Sequence, residues 1–131
     1  MSRSGYSDCC DIWPLICWRG AVNSAIRGKR GQQFLEDLLA ALDAMPEKKL
    51  IRDELVADGQ FCTLGVVGQQ RGIDMTDIDP EDRDRVAAAF DIAPAMAAEI
   101  VYMNDEYFDR DTPEQRWQEM RKWVAEQIEV K

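Results

Sequence analysis

The sequence contains no histidine. This absence removes the commonest general base, the Ser–His and Cys–His nucleophile pairs, and most catalytic zinc sites. The four cysteines, Cys9, Cys10, Cys17 and Cys62, lack the pairs separated by two residues with which thiolates hold a zinc ion. The acidic residues form no obvious catalytic pair. We therefore expect a protein that is not an enzyme and that needs no metal or cofactor.

Long apolar runs are also missing. No stretch approaches the roughly 18 residues of a membrane span, and residues 1–10 lack the charged-then-apolar order of a signal peptide. Those first ten residues are small and polar, which predicts a flexible tail. We expect a cytoplasmic protein without membrane contact, whose cysteines are reduced and of which Cys17 and Cys62 lie in the core.

Positive charge is scarce, with 16 basic against 25 acidic residues and a net charge of −9. Residues 1–52 carry 8 basic and 6 acidic residues, a net +2, whereas residues 53–131 carry 8 and 19, a net −11. An acidic surface repels nucleic acid and anionic lipid and attracts basic proteins. The same charge is compatible with a role in solubility alone.

The chain is long enough for one core, and its hydrophobic fraction of 46% is that of a folded protein. We predict one mainly α domain over residues 11–131, with about five helices and one short β-hairpin. Apolar residues at helical spacing predict helices from residue 11 to about 26, over residues 32–45, and from Pro113 to about Glu129. The last has a capping box at Thr112 and Gln115.

Two more helices are predicted around a tight turn at Asp91 and Ile92. Asp79 is the expected N-cap and Pro80 the expected first residue of one helix, and Pro94 begins the other, which closes at residues 104–106. This outline also suits a helix-turn-helix over residues 80–104. However, residues 94–107 contain no cation to contact DNA.

Between the second helix and this pair, residues 49–62 predict a hairpin that turns at Asp58 and Gly59. Residues 63–71 fit either a strand or a short helix, and we favour a helix that ends at Gly72.

Acidic residues are concentrated in two predicted loops. The first does not match a calcium-binding loop, because Asp82 stands where that pattern needs glycine. Local capping and solvation would explain these residues without a partner. As a binding surface, they would form an acidic face consisting of Asp74, Asp77, Asp79, Glu81, Asp82, Asp105, Glu106, Asp109 and Asp111.

One dense basic cluster, Arg27, Lys29 and Arg30, is interrupted by glycines that indicate a helix end and a break. It could bind an anion or RNA. Alternatively, three cations at a helix C-terminus would simply complement the helix dipole.

Several short segments resemble a group of small uncharacterised proteins encoded by temperate phages and prophages of proteobacteria. The segments are Trp18-Arg19-Gly20-Ala21, Gly28-Lys29-Arg30-Gly31, Ala89-Phe90-Asp91-Ile92-Ala93, Glu99-Ile100-Val101-Tyr102, Asn104-Asp105-Glu106, Thr112-Pro113-Glu114, Arg116-Trp117, Met120-Arg121 and Trp123-Val124. The resemblance spans most of the chain. It implies a phage setting and brings no catalytic residue.

The favoured hypothesis is a phage accessory protein whose acidic face binds and modulates a host protein with a basic surface, such as a defence or nucleic-acid-handling component. The alternative is a nucleic-acid-associated regulator that uses residues 27–31 and the corner at 80–104. Direct nucleic-acid binding is disfavoured by the net charge. Trp13 or Trp18 could lie in a homo-oligomer interface or in the core.

Overall fold

The computed structural model describes residues 12–107 and 112–128, so the predicted tail lies outside it. In chain order the elements are α1 (Ile12–Arg27), α2 (Lys29–Ala44), β1 (Val56–Ala57), β2 (Gln60–Phe61), α3 (Thr63–Gln70), α4 (Arg83–Phe90), α5 (Pro94–Tyr102), a π-helix (Met103–Tyr107) and α6 (Pro113–Gln127). The mainly α fold with one short hairpin is confirmed. The described residues form six α-helices, consistent with the prediction of about five.

Helix α5 lies at the centre of the fold. Every residue from position 95 to position 101 is buried, as expected for a helix that is apolar on all sides. Its one charged residue, Glu99, accepts two hydrogen bonds from the Arg19 guanidinium of α1, at 2.8 and 3.1 Å. All six helices contribute side chains to one hydrophobic core around α5, and Val22, Leu38 and Met120 are among those with no exposed surface.

The junction of α1 and α2 differs from the prediction. Only Gly28 separates the two helices, and α2 begins at Lys29 rather than at Gln32. Gly31, expected to break the chain, lies in the first turn of α2 against the backbone of Ala25. Because Gly31 has no side chain, the two helices can approach closely. Glycine is therefore needed here for helix packing and not to end a helix.

The hairpin and the helix after it are confirmed. Val56 pairs with Phe61 and Ala57 with Gln60, and both turn residues, Asp58 and Gly59, have positive φ. Positive φ at both positions is the type I′ geometry, whose twist matches that of paired strands. Helix α3 then begins at Thr63 and ends in a glycine-capped turn at Gly72, whose φ is 69°.

Helix α4 begins at Arg83, so the predicted start at Pro80 is wrong. Asp82 is the N-cap, and its carboxylate accepts a hydrogen bond from the Arg85 amide at 3.2 Å. Asp79 and Pro80 belong to a separate β-turn, closed by the Asp82 amide on the Asp79 carbonyl at 3.0 Å. Aspartate and proline suit the first two positions of that turn as well as they suit a helix start.

The corner between α4 and α5 is confirmed, and the chain bends there by 104°. Asp91 ends α4 in the left-handed conformation, and Pro94 begins α5. The second arm closes over residues 104–106 as predicted, but its last turn, Met103–Tyr107, is a π-helix. Short π-helices are rare and are frequently found at functional sites.

Helix α6 begins with the predicted capping box, in which Thr112 accepts a hydrogen bond from the Gln115 amide and the Gln115 side chain accepts one from the Thr112 amide. The helix packs against α2. Trp117 donates its indole N–H to the Leu42 carbonyl at 3.1 Å. Arg121 donates to both carboxylate oxygens of Asp43, at 2.6 and 3.1 Å.

The Asp43–Arg121 pair predicts a small pH dependence of stability. Hydrogen bonding from Arg121 lowers the pKa of Asp43 from 3.8, aided by the positive charges of Arg121 and Lys48. A carboxyl whose pKa is lowered by folding stabilises the protein above its unfolded pKa, and this contribution is lost as the pH falls through the folded value. Both side chains are more than 40% exposed, so the contribution is at most about 0.5 kcal/mol.

We therefore expect Asp43→Asn to lower the free energy of unfolding by up to about 0.5 kcal/mol at neutral pH and by less at about pH 3, where protonation of the carboxyl weakens the pair. Urea unfolding at the two pH values measures this difference. Arg121→Gln and the double variant complete the cycle. An Asp43→Asn effect of equal size at both pH values would contradict the assignment.

Candidate functional site

The strongest concentration of exposed negative charge is the loop of residues 72–82, between α3 and α4. We define the acidic loop as its five exposed acidic residues, which are Asp74, Asp77, Asp79, Glu81 and Asp82. Met75 and Ile78 anchor the loop, each only 8% exposed. The Met75 sulfur lies where a Cβ at Gly68 would stand, so the glycine makes room for this anchor. The carboxylates are thus displayed by a loop that is pinned to the core.

Three of these carboxylates hold the shape of the loop. Asp74 accepts hydrogen bonds from the amide and the hydroxyl of Thr76, and both bonds lower the pKa of Asp74. Asp79 accepts one from the Glu81 amide at 2.9 Å, and Asp82 caps α4. Within the described residues, the carboxylates of Asp77 and Glu81 make no such bond. These two are available to an external cation without any change in the loop.

Of the remaining members of the predicted acidic face, Asp105 and Glu106 lie within the described residues, and Asp105 does not extend this surface as expected. Asp105 is buried, with 2% of its surface exposed, so its assignment to the face is wrong. It accepts hydrogen bonds from the Asp53 amide at 3.0 Å and from the Asn104 side chain at 2.8 Å. Glu106 is half-buried in the π-helix. Asp109 and Asp111 lie outside the described residues.

Asp105 belongs to a buried polar cluster, which we define as Thr63, Asn104, Asp105 and Arg116. The Asn104 carboxamide oxygen accepts from the amide and the hydroxyl of Thr63, and its NH₂ donates to the Ile51 carbonyl. Arg116 donates to the Asn104 carbonyl at 2.9 Å. The cluster joins α3, the π-helix, α6 and the segment before the hairpin. Its members come from distant parts of the chain, so no local sequence signal indicated it.

The basic cluster lies at the corner of α1 and α2, where all three side chains are exposed. Arg27 is the last residue of α1, but Lys29 and Arg30 are in the first turn of α2. The expectation that all three complement a helix C-terminus is therefore wrong for two of them, because cations are unfavourable at the N-terminus. Arg30 lies 3.5 Å from the Asp91 carboxylate. A small cavity of about 230 Å³ adjoins the corner.

The structure argues against DNA reading by the corner of α4 and α5. A recognition helix must offer an exposed face to the major groove. Helix α5, which occupies that position, is buried from residue 95 to residue 101. Its one charged side chain, Glu99, is buried and is paired with Arg19 of α1. The helix-turn-helix outline therefore reflects the packing of a central helix.

A groove of about 760 Å³ opens where three segments meet. It is lined by the end of α2 and the following turn, by the tip of the hairpin, and by the last two turns of α3. Met45, Phe61 and Val66 are apolar lining residues, and Gln60, Gln69 and Gln70 contribute exposed carboxamides. Because the segments are far apart in the chain, periodicity and motifs could not reveal this groove.

Within the described residues, no group of three cysteines or acidic residues is arranged to hold a metal ion. The one described cysteine side chain, Cys62, is buried in the core, as predicted. No single helix in the described residues has the length and apolar composition needed to cross a membrane. Comparisons with protein-family models, curated proteins and solved structures find no match to this chain.

Proposed function

We propose that this protein is a non-catalytic binding module whose acidic loop contacts a cationic surface of another protein. The observation that carries the proposal is the display of exposed carboxylates on a loop anchored by Met75 and Ile78. Anchoring lowers the entropy lost when such a loop binds, so its charges are arranged before a partner arrives. Long-range attraction to a basic surface then mainly accelerates association.

The setting proposed for this activity is that of a phage accessory protein in the cytoplasm of a bacterial host. A cationic surface that normally binds phosphates is also a binding site for an ordered set of carboxylates. The proposed partner is therefore a host defence or nucleic-acid-handling protein, which the acidic loop would modulate or inhibit by occupying its basic surface.

The test compares two variants of equal net charge. Asp77→Asn/Glu81→Gln removes the two loop carboxylates that make no bond within the described residues. Glu36→Gln/Glu126→Gln removes two exposed carboxylates from α2 and α6. Tagged proteins are used to capture partners from nuclease-treated host lysate, and the purified partner's affinity is then measured. We expect the loop variant to bind about tenfold more weakly, and the control to bind within about twofold of the native protein.

Equal affinities of the two variants would overturn the proposal, because the effect would then depend on net charge and not on the loop. A partner captured from untreated lysate but absent from nuclease-treated lysate would also overturn it. That result would favour the alternative in which Arg27, Lys29 and Arg30 contact nucleic acid, and binding would then fall steeply with salt.

A further inference from the structure

The groove has a consistent electrostatic character. Helices α2 and α3 both end at it, since Ala44 at the end of one and Gln69 and Gln70 at the end of the other line its wall. The C-terminus of a helix carries the negative end of the backbone dipole, which favours a nearby cation. Two further lining residues, Glu47 and Asp58, add exposed carboxylates. The groove therefore favours positive charge.

The nearby cations only partly offset the preference of the groove for positive charge. Lys48 donates to the carbonyls of Asp43 and Met45 and lies over the Trp117 ring, so it offsets part of the α2 dipole. Lys49 lines the groove and lies 3.7 Å from the Glu114 carboxylate. Arg71, which follows α3, contacts the Phe90 carbonyl and the Phe34 ring and is not a lining residue.

The surface of the groove also suits aliphatic groups. Met45 and Phe61 are half-buried and Val66 is buried, so the apolar part of the lining belongs to the core. The carboxamides of Gln60, Gln69 and Gln70 provide oxygen acceptors beside it. Arginine and lysine have this combination of needs, because an apolar stem carries a charged, hydrogen-bonding end.

The groove is also close to the acidic loop along the chain. Gln70 ends α3, the chain turns at Gly72, and Asp74 follows only four residues after Gln70. Four residues span at most about 14 Å, so a partner segment of a few residues is long enough to contact both places.

We propose that the groove binds a cationic segment of the partner protein, in which arginine or lysine is interleaved with aliphatic residues. This inference rests on the proposed function, because it places the segment next to the partner surface that meets the acidic loop. The groove would supply the apolar contact and the loop most of the charge, which together give more selectivity than an acidic loop alone.

A defined peptide probe tests the groove without the natural partner. The probe is a short labelled peptide in which arginine alternates with leucine, and its counterpart has glutamate in place of arginine. Ala44→Lys/Gln70→Lys places two cations in the groove, at helix C-termini where they suit the fold. Gln118→Lys/Ala125→Lys adds the same charge to exposed positions of α6. Fluorescence anisotropy gives the affinities, and amide chemical shifts locate the bound peptide.

We expect the arginine peptide to shift amides at residues 44–47, 58–61 and 66–70. The groove variant should weaken its binding about tenfold, and the α6 variant by about twofold through net charge alone. Shifts confined to residues 74–82 would overturn this inference while leaving the acidic loop as a binding surface. Equal binding of the glutamate peptide, or no binding of either peptide, would overturn it as well. Conversely, a failure of Asp77→Asn/Glu81→Gln to weaken partner binding would remove the proposed function without changing these peptide results.

Discussion

Gly31→Ala is expected to destabilise the protein by about 3 kcal/mol or more. A Cβ at this position would overlap the Ala25 carbonyl oxygen and would lie 3.0 Å from the Ala25 carbonyl carbon and 3.1 Å from the Ile26 carbonyl oxygen. All three atoms belong to the backbone of α1, so no side chain can rotate to make room. The methyl group can be accommodated only if α1 moves away from α2, which would disturb the packing of Val22.

Gly20→Ala is the matched control, because it makes the same change inside α1. Nothing lies within 4 Å of a Cβ at Gly20, and alanine is favoured over glycine in a helix by about 0.5–1 kcal/mol. The control should therefore be stabilising. Thermal unfolding followed by circular dichroism should show a Tm fall on the order of 10 °C for Gly31→Ala and a small rise for Gly20→Ala. Similar Tm changes in the two variants would contradict the close approach of α1 and α2.

The contrast between these two glycines shows which parts of the fold can be predicted from sequence. The capping box at Thr112 and the turn at Gly59 depend on residues within three positions of each other, so their signals are complete in the local sequence. Gly31 was predicted to break the helix because the sequence does not show that glycine is needed there for close contact with the backbone of α1. The helix start predicted at Asp79 and Pro80 was wrong for a different reason. The same dipeptide suits both a helix start and a β-turn.

The candidate site also has parts that could be predicted from the sequence and parts that could not. The acidic loop could be predicted, because five acidic residues fall within the nine positions from Asp74 to Asp82. Asp105 could not be distinguished from them, since its burial depends on the Asp53 amide, 52 residues away. The groove is built by α2, the hairpin and α3. Part of its negative character comes from the ends of two helices, which the number of acidic residues in the sequence does not reveal.

The buried polar cluster is expected to contribute strongly to stability, although no local sequence pattern indicated it. Asn104 uses both ends of its carboxamide, with the oxygen accepting from Thr63 and the NH₂ donating to the Ile51 carbonyl and to Asp105. It is 1% exposed, so water cannot replace these partners without a structural change. The side chain thereby satisfies an amide at the start of α3 and a carbonyl in the segment before the hairpin.

Asn104→Leu keeps a similar volume but removes all of these bonds. The buried Thr63 amide and the part-buried Ile51 carbonyl would then lose their partner, at a cost of about 1–3 kcal/mol each, for a total of about 2–6 kcal/mol. This is a large share of the stability of an ordinary domain, which is about 5–15 kcal/mol. Urea unfolding measures the loss. Gln118→Leu, the same kind of change on the exposed face of α6, should stay within about 0.5 kcal/mol of the native protein.

Hydrogen exchange distinguishes a lost bond from a general loosening. If Asn104 holds the start of α3 to the π-helix, the Thr63 amide should exchange much faster in Asn104→Leu, beyond the change expected from the lower global stability. Amides in the middle of α2, which are remote from the cluster in the chain, should change only by the global amount. A variant that loses less than about 1 kcal/mol and leaves Thr63 protected would show that the carboxamide is not what joins these elements.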